Sequence, residues 1–264
     1  MDFSGYQTLA FTREGAVLTV ELNRPEVMNA TNAEGEIELC RFFADVSGDP
    51  DTRVVILTGR GKSFCGGGDF GYIREVMDKP ERFWDQMAYG KRLIFLLLEC
   101  TKPVIAKING HAMGLGATLA LFCDVTFAAA HVKIADPHVA IGFVAGDGGA
   151  VIWPQLVGFN RAKEFLFTGE SLLAPEAERI GLINHAVDAE KLDECVKEYA
   201  LKVAAMPARA VQWTKASINV GLKQLAHSIM DASIAYEALS NGSHDHREAM
   251  DAIRDKRKPL FTGN

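Results

Sequence analysis

The pattern of apolar positions divides the chain into a mixed part and a helical part. Three short, almost wholly apolar runs at 17–22, 54–58 and 103–108 predict β-strands. The run at 54–58 has no polar face, which is typical of a strand buried on both sides of a parallel sheet. Between the first two runs, residues 32–46 carry apolar side chains near a helical period and predict a helix. This strand–helix–strand order predicts right-handed βαβ crossovers.

From about residue 160 the pattern becomes helical. The predicted helices cover residues 160–168, 175–181, 189–206, 207–220 and 221–239. Since helices here follow one another without intervening strands, we expect an extension that packs on the core or on a neighbouring subunit. The sequence therefore predicts an α/β core over residues 1–200 and a C-terminal helical segment over residues 201–264.

Composition excludes several classes of protein. The chain has 264 residues, enough for one large α/β domain with a small extension, and its net charge of −6 does not favour a nucleic-acid partner. The five cysteines are widely spaced without a CxxC pair, which fits a reducing compartment. The N-terminus has no signal-peptide pattern, and no apolar run is long enough to span a membrane. We therefore expect a cytoplasmic protein with neither a nucleic-acid nor a membrane partner.

Two glycine-rich turns are candidates for binding an anion. Residues 63–69 (SFCGGGD) follow the second strand, and residues 109–116 (NGHAMGLG) lead into a good helical sequence at 117–121. Glycines allow close approach of the backbone to a ligand, and a turn that opens a helix directs unbonded N–H groups towards one point. Each turn alone is a weak signal, because glycine turns between strands and helices are common.

Together with other blocks, these turns resemble the crotonase, or enoyl-CoA hydratase/isomerase, superfamily. The blocks are RPEVMNA (24–30), SFCGGGDF (63–70), the segment 102–124, the segment 136–149 and the segment 161–187. The resemblance implies an α/β fold, a stack of ββα units with a C-terminal helical extension that takes part in oligomer contacts and in the ligand pocket. It also implies a homotrimer or a dimer of trimers. The implied substrate is an acyl-CoA, with coenzyme A as part of the substrate and no separate cofactor or metal.

The resemblance also assigns roles to individual residues. It places the two N–H donors of an oxyanion hole at Gly68 and Leu115, where relatives usually have glycine in the second position. The C-terminal Lys258 and Phe261 resemble residues that reach the nucleotide end of coenzyme A, often across a subunit boundary. The full set of implied substrate- or coenzyme-A-binding positions is Asn29, Ala30, Gly66, Gly67, Asp69, Gly114, Thr118, Lys258 and Phe261.

The sequence departs from the hydratase pattern at its two catalytic glutamates. Thr118 and His138 stand at those positions, so addition of water by two glutamates is not supported. The remaining catalytic candidates are His138 and Asp147. Asp147 matches the catalytic aspartate of dienoyl-CoA isomerases and of 4-chlorobenzoyl-CoA dehalogenase. The pair resembles that of 6-oxocamphor hydrolase, in which a histidine oriented by the aspartate activates water.

Three hypotheses for the function follow. The leading one is an acyl-CoA lyase or isomerase of fatty acid metabolism that uses Asp147 and His138 on an enolate held by the oxyanion hole. The first alternative is a retro-Claisen hydrolase that cleaves a carbon–carbon bond of a β-diketone. The second is a catalytically silent acyl-CoA binder. In each case we expect Phe83, Trp84 and Tyr89 to shape the acyl pocket.

Overall fold

The computed structural model describes residues 2–264, and all of their side chains except those of residues 80 and 84–87. The strands are β1 Leu9–Glu14, β2 Val17–Leu22, β3 Val54–Gly59, β4 Ser63–Cys65, β5 Val104–Ile108, β6 His111–Met113, β7 Val125–Ala129, β8 Lys133–Ala135, β9 Leu172–Leu173 and β10 His185–Val187. The helices are α1 Ala33–Val46, α2 Phe70–Asp78, α3 Pro80–Glu99, α4 Leu115–Leu121, α5 Gly149–Val157, α6 Phe159–Thr168, α7 Ala174–Arg179, α8 Leu192–Ala204, α9 Ala208–Asn241 and α10 His244–Arg254. Short 3₁₀ turns lie at Pro25–Val27, His138–Ile141 and Ala189–Lys191.

Two sheets form the core of the fold. The larger has the order β1-β2-β3-β5-β7-β10, parallel except for the antiparallel pair β1 and β2. The smaller has the order β4-β6-β8-β9, with β9 antiparallel to β8. The strands β3, β5 and β7 are each followed directly by a strand of the smaller sheet, so the same unit is repeated along the chain. This confirms the α/β fold class.

The apolar strands predicted from the sequence are present with nearly the same bounds. Every residue of β3 is buried, as the absence of a polar face predicts. The helix predicted at 32–46 is α1, which begins one residue later because Asn32 is its N-cap and accepts a hydrogen bond from the Gly35 N–H. The core is completed by large, fully buried side chains such as Trp153 and Phe42.

The prediction of separate helices at 207–220 and 221–239 is wrong. One continuous helix, α9, spans 34 residues and includes Gly221. A helical glycine costs only about 1 kcal/mol relative to alanine, and buried residues on both sides of it, among them Asn219 and Ala226, anchor the helix to the core. Packing therefore outweighs the local helix-breaking tendency.

The predicted division after residue 200 falls within α8, and the role of the C-terminal segment in oligomer contacts stays a prediction. Over residues 2–264, no helix combines the length and the apolar content that crossing a bilayer requires.

Candidate active site

The two glycine-rich turns meet at one wall of a cavity. A Cβ atom on Gly67 would lie 2.9 Å from the Met113 carbonyl oxygen and 3.8 Å from the Gly114 Cα, so the two turns are in backbone contact. Gly67 has φ +93° and Gly114 has φ +51°, conformations that side-chain-bearing residues rarely adopt. Glycine is needed at both positions for conformation, and at Gly67 also for space.

The N–H groups predicted to form the oxyanion hole belong to Gly68 and Leu115. Leu115 is the first residue of α4, and the N–H groups in the first turn of a helix lack intrahelical acceptors. Gly68 pairs with Thr31 in an isolated parallel bridge, in which the Thr31 N–H donates to the Gly67 carbonyl and the Asp69 N–H donates to the Thr31 carbonyl. This bridge does not use the Gly68 N–H. Gly68 and Leu115 both line the same cavity, so their N–H groups are candidate ligand donors.

Asp147 lies on the same cavity and is held by three contacts. The Thr118 hydroxyl donates to Asp147 Oδ1 at 3.1 Å, and the Gly149 N–H lies 3.4 Å from the same oxygen. The other oxygen, Oδ2, is 3.5 Å from His138 Nε2. Thr118 is fully buried in α4 and does not line the cavity, so its observed contact is with Asp147. The predicted contact of Thr118 with the substrate stays a prediction.

His138 lies between two carboxylates. Its Nδ1 contacts Asp136 Oδ1 and its Nε2 faces Asp147, so both ring nitrogens are directed at acceptors. Asp136 is almost completely buried and is the closer partner. The resemblance predicts that Asp147 orients the histidine, whereas the structure adds Asp136 as a second and closer partner. The signal in the sequence for this role of Asp136 was its position two residues before the histidine, in the motif Asp136-Pro137-His138.

The charges of this group follow from burial and proximity. Burial opposes the charge on His138, but Asp136 and then Asp147 raise the pKa of its imidazole to about 10. His138 is therefore a cation at neutral pH in this arrangement. The donor atoms of Asp136, His138 and Asp147 lie within 4.8 Å of one another. Burial raises the pKa of Asp147 above its usual value, the His138 cation lowers it, and the Asp136 carboxylate raises it again.

A further carboxyl group comes from the C-terminal helix. Glu237 of α9 is 9% exposed and lines the cavity. Burial, reinforced by the Asp147 carboxylate, raises the pKa of Glu237 well above its usual value and so favours its protonated form. A Cβ on Gly146, next to Asp147, would collide with the Glu237 side chain, which shows how closely α9 approaches this loop. The sequence pattern gave no signal for Glu237, because a glutamate on an amphipathic helix is usually exposed.

The cavity itself has a volume of about 160 Å³. Its polar side is formed by the glycine turns together with His138, Asp147, Glu237 and the buried Glu36. Its remaining lining is mainly apolar and comes from Phe70, Tyr72, Ile73, Val76, Phe83, Ile141, Phe143 and Ile234. An apolar pocket with a few converging polar groups is typical of a small-molecule site.

Among the predicted pocket aromatics, Phe83 lines the cavity and packs edge-on against Phe143, with ring centroids 6.0 Å apart. Tyr89 packs against the hydrophobic core instead. The side chain of Trp84 lies outside the described residues.

The predicted binding residues fall into two groups. Gly66, Gly67 and Gly114 line the cavity, as expected for a ligand site. The remaining ones are outside the cavity lining: Asn29, Ala30, Asp69, Thr118, Lys258 and Phe261.

Local contacts describe this second group. The Asn29 amide donates to the Arg60 and Ser63 carbonyls, and Asp69 is the N-cap of α2 and pairs with Arg24 at 3.0 Å. Lys258 and Phe261 are exposed near the C-terminus. Their roles towards coenzyme A stay predictions.

The chain belongs to the enoyl-CoA hydratase/isomerase family. The family model with that description matches residues 12–264. The chain is 34% identical to the crotonyl-CoA hydratase of Syntrophomonas wolfei over 257 residues, which cover 97% of this chain and 98% of the relative. It is 33% identical to the 1,2-epoxyphenylacetyl-CoA isomerase of Escherichia coli, over 95% of this chain and 96% of the relative.

Solved structures agree with this assignment. The crystal structure of an enoyl-CoA hydratase/isomerase from Mycobacterium paratuberculosis superposes with a TM-score of 0.89 at 31% identity, covering 94% of this chain and 99% of the other. The protein is therefore an enzyme of this family, a lyase or isomerase that acts on an acyl-CoA.

Proposed function

We propose that the enzyme is a double-bond isomerase that moves a proton along the acyl chain of an enoyl-CoA, with Asp147 as the base. The observation that carries the proposal is the position of Asp147, on the cavity wall between the Thr118 hydroxyl and the His138 cation. These contacts fix the carboxylate, and its raised pKa makes it a stronger base than an exposed aspartate.

The reaction needs an electron sink as well as a base. Removal of a proton next to a thioester places negative charge on the thioester oxygen, and two amide donors aimed at that oxygen stabilise the resulting enolate. Gly68 and Leu115 are suited to this role. Return of the proton two carbons away completes a 1,3-shift, for which Asp147 carries the removed proton. Glu237, whose protonated form is favoured by burial, lines the same cavity and is a second candidate donor.

The contacts of His138 favour proton transfer by Asp147 over activation of water by the histidine. A general base needs a free lone pair, and His138 is protonated with both nitrogens directed at carboxylates. Its cation instead balances the charge of Asp136 and Asp147. The retro-Claisen hypothesis, which requires a basic histidine, is therefore the less supported alternative.

Parallel assays with a 3-enoyl-CoA and a 2-enoyl-CoA test the proposal. We expect the 3-enoyl-CoA to be converted to the 2-enoyl isomer, and Asp147→Asn to lower this rate by roughly 100-fold or more, because a positioned base contributes 10²–10⁴-fold. The exposed Asp193→Asn is the matched control and should be unaffected. Hydration of the 2-enoyl-CoA that proceeds as fast as isomerisation and survives Asp147→Asn would overturn the proposal. No turnover of either substrate would instead support the silent binder.

A further inference from the structure

Gly90 is an unexpected residue at its position in the fold. It lies in the middle of the 20-residue helix α3 and lines the cavity. Among helix-interior residues only proline is less favourable than glycine. Gly90 is absent from the residues with positive φ, so its backbone conformation would accept any side chain.

Packing does not explain the glycine either. Among the described residues, a Cβ at Gly90 would meet no atom within 4 Å outside the backbone of its own helix. By contrast, a Cβ at Gly116 would lie 2.5 Å from the Cys65 carbonyl oxygen, so that glycine is required by space. The side-chain position of Gly90 is therefore open with respect to the described side chains, and Gly90 itself lines the cavity.

The neighbouring contacts show what lies across this space. Lys91, the next residue of α3, pairs with Asp231 of α9. One turn further along α9 stands Ile234, which lines the same cavity. The cavity lining therefore includes residues of both α3 and α9.

We propose that Gly90 sets the size of the acyl group, and that the enzyme accepts an acyl-CoA bearing one ring or a branch of comparable volume. This rests on the proposed function, in which the thioester carbonyl faces Gly68 and Leu115. The volume of about 160 Å³ matches the scale of a cavity of about 150 Å³ that binds benzene. The apolar lining, which includes Phe83 and Phe143, suits a hydrocarbon ring, and a side chain at position 90 would take up the same space.

Calorimetric binding of phenylacetyl-CoA and butyryl-CoA to the full chain tests the proposal. The wild type should bind the phenylacetyl thioester more tightly. The ratio of the two dissociation constants should shift against the ring-bearing thioester by about tenfold or more in Gly90→Leu, and by a smaller factor in Gly90→Ala. Gly90→Ala retains a measurable result if the leucine variant does not fold.

Gly221→Ala is the matched control, because Gly221 is also a helix-interior glycine with open space around its Cβ position, but it is exposed on α9. Both alanine variants should gain thermal stability, and only Gly90→Ala should change the ratio of dissociation constants. An unchanged ratio in both Gly90 variants, equal weakening of both thioesters, or a wild-type preference for butyryl-CoA would overturn the proposal.

Binding separates this proposal from the proposed function. Size selection that depends on position 90, in an enzyme without isomerase turnover, would support the role of Gly90 and contradict the role of Asp147. Turnover that requires Asp147 but shows no size selection would support the role of Asp147 and contradict the role of Gly90.

Discussion

The two polar walls of the cavity are built from different parts of the molecule. One wall consists of backbone, the turns at 66–68 and 114–115, and offers N–H donors that no change of pH within the working range can remove. The other consists of the ionisable side chains of His138, Asp147 and Glu237, whose charges depend on one another. In the proposed function the backbone wall holds the thioester enolate, and the side-chain wall decides where a proton moves. The proposed reaction therefore depends on the side chains more than on the glycine turns.

The largest effect we expect concerns the stability of the side-chain wall. His138→Gln leaves the buried carboxylate of Asp136 without its cation, and breaking a buried ion pair in this way costs about 3–5 kcal/mol in the free energy of unfolding. Denaturant unfolding should show this loss, with the exposed His131→Gln as control.

The free energy of unfolding that is lost in His138→Gln should depend on pH in a defined direction. The pKa of His138 is raised from 6.5 to about 10 by folding, so the stabilising contribution is complete below pH 6.5 and disappears as the pH rises through 10. A stability difference between wild type and His138→Gln that grows over this range would contradict the assigned cation.

The backbone wall is tested by Gly114→Ala. The left-handed φ of +51° is strained for alanine, so the turn should move and carry the Leu115 N–H away from the thioester oxygen. Loss of one oxyanion donor lowers kcat by roughly 100- to 1,000-fold.

Gly15→Ala provides the matched control for Gly114→Ala. Gly15 has φ +57° in the turn between β1 and β2, far along the chain from either glycine-rich turn, and imposes the same kind of strain. Equal loss of activity in both variants would show that the effect is general destabilisation.

The smallest effect concerns Thr118, whose hydrogen bond to Asp147 connects the backbone wall with the side-chain wall. Thr118 belongs to α4, which begins at Leu115, and its hydroxyl lowers the pKa of Asp147. Thr118→Val should raise that pKa further and move the acid limb of the kcat/KM profile to higher pH, with a few-fold loss of activity near neutrality. Thr118→Ser should restore the wild-type profile. If the pH dependence of kcat/KM is the same in Thr118→Val as in the wild type, Thr118 has no role in setting the pKa of Asp147.

Much of the fold could be predicted because three of its strands are short, largely apolar runs, and β3 is buried on both faces. The local sequence alone is enough to predict β2, β3 and β5. The smaller sheet was not predicted, since its strands have two or three residues and no usable period. The unbroken α9 was missed because only packing shows that Gly221 is tolerated.

The site divides in the same way. The glycine turns and the pair His138 and Asp147 were predicted because the resemblance to the family assigns roles to their positions, whereas each feature alone is a weak signal. Asp136 and Glu237 were missed, because their importance comes from burial. The structure brings Glu237 to Asp147 across about ninety residues of sequence, which no local pattern encodes.

Proton exchange at the acyl chain tests the central claim, that Asp147 rather than His138 moves the proton. An enoyl-CoA incubated with enzyme in D₂O is followed by mass spectrometry for deuterium uptake next to the thioester. We predict uptake with the wild type and with whatever folded fraction His138→Gln retains, and its loss in Asp147→Asn. Uptake that persists in Asp147→Asn and disappears in folded His138→Gln would contradict the account.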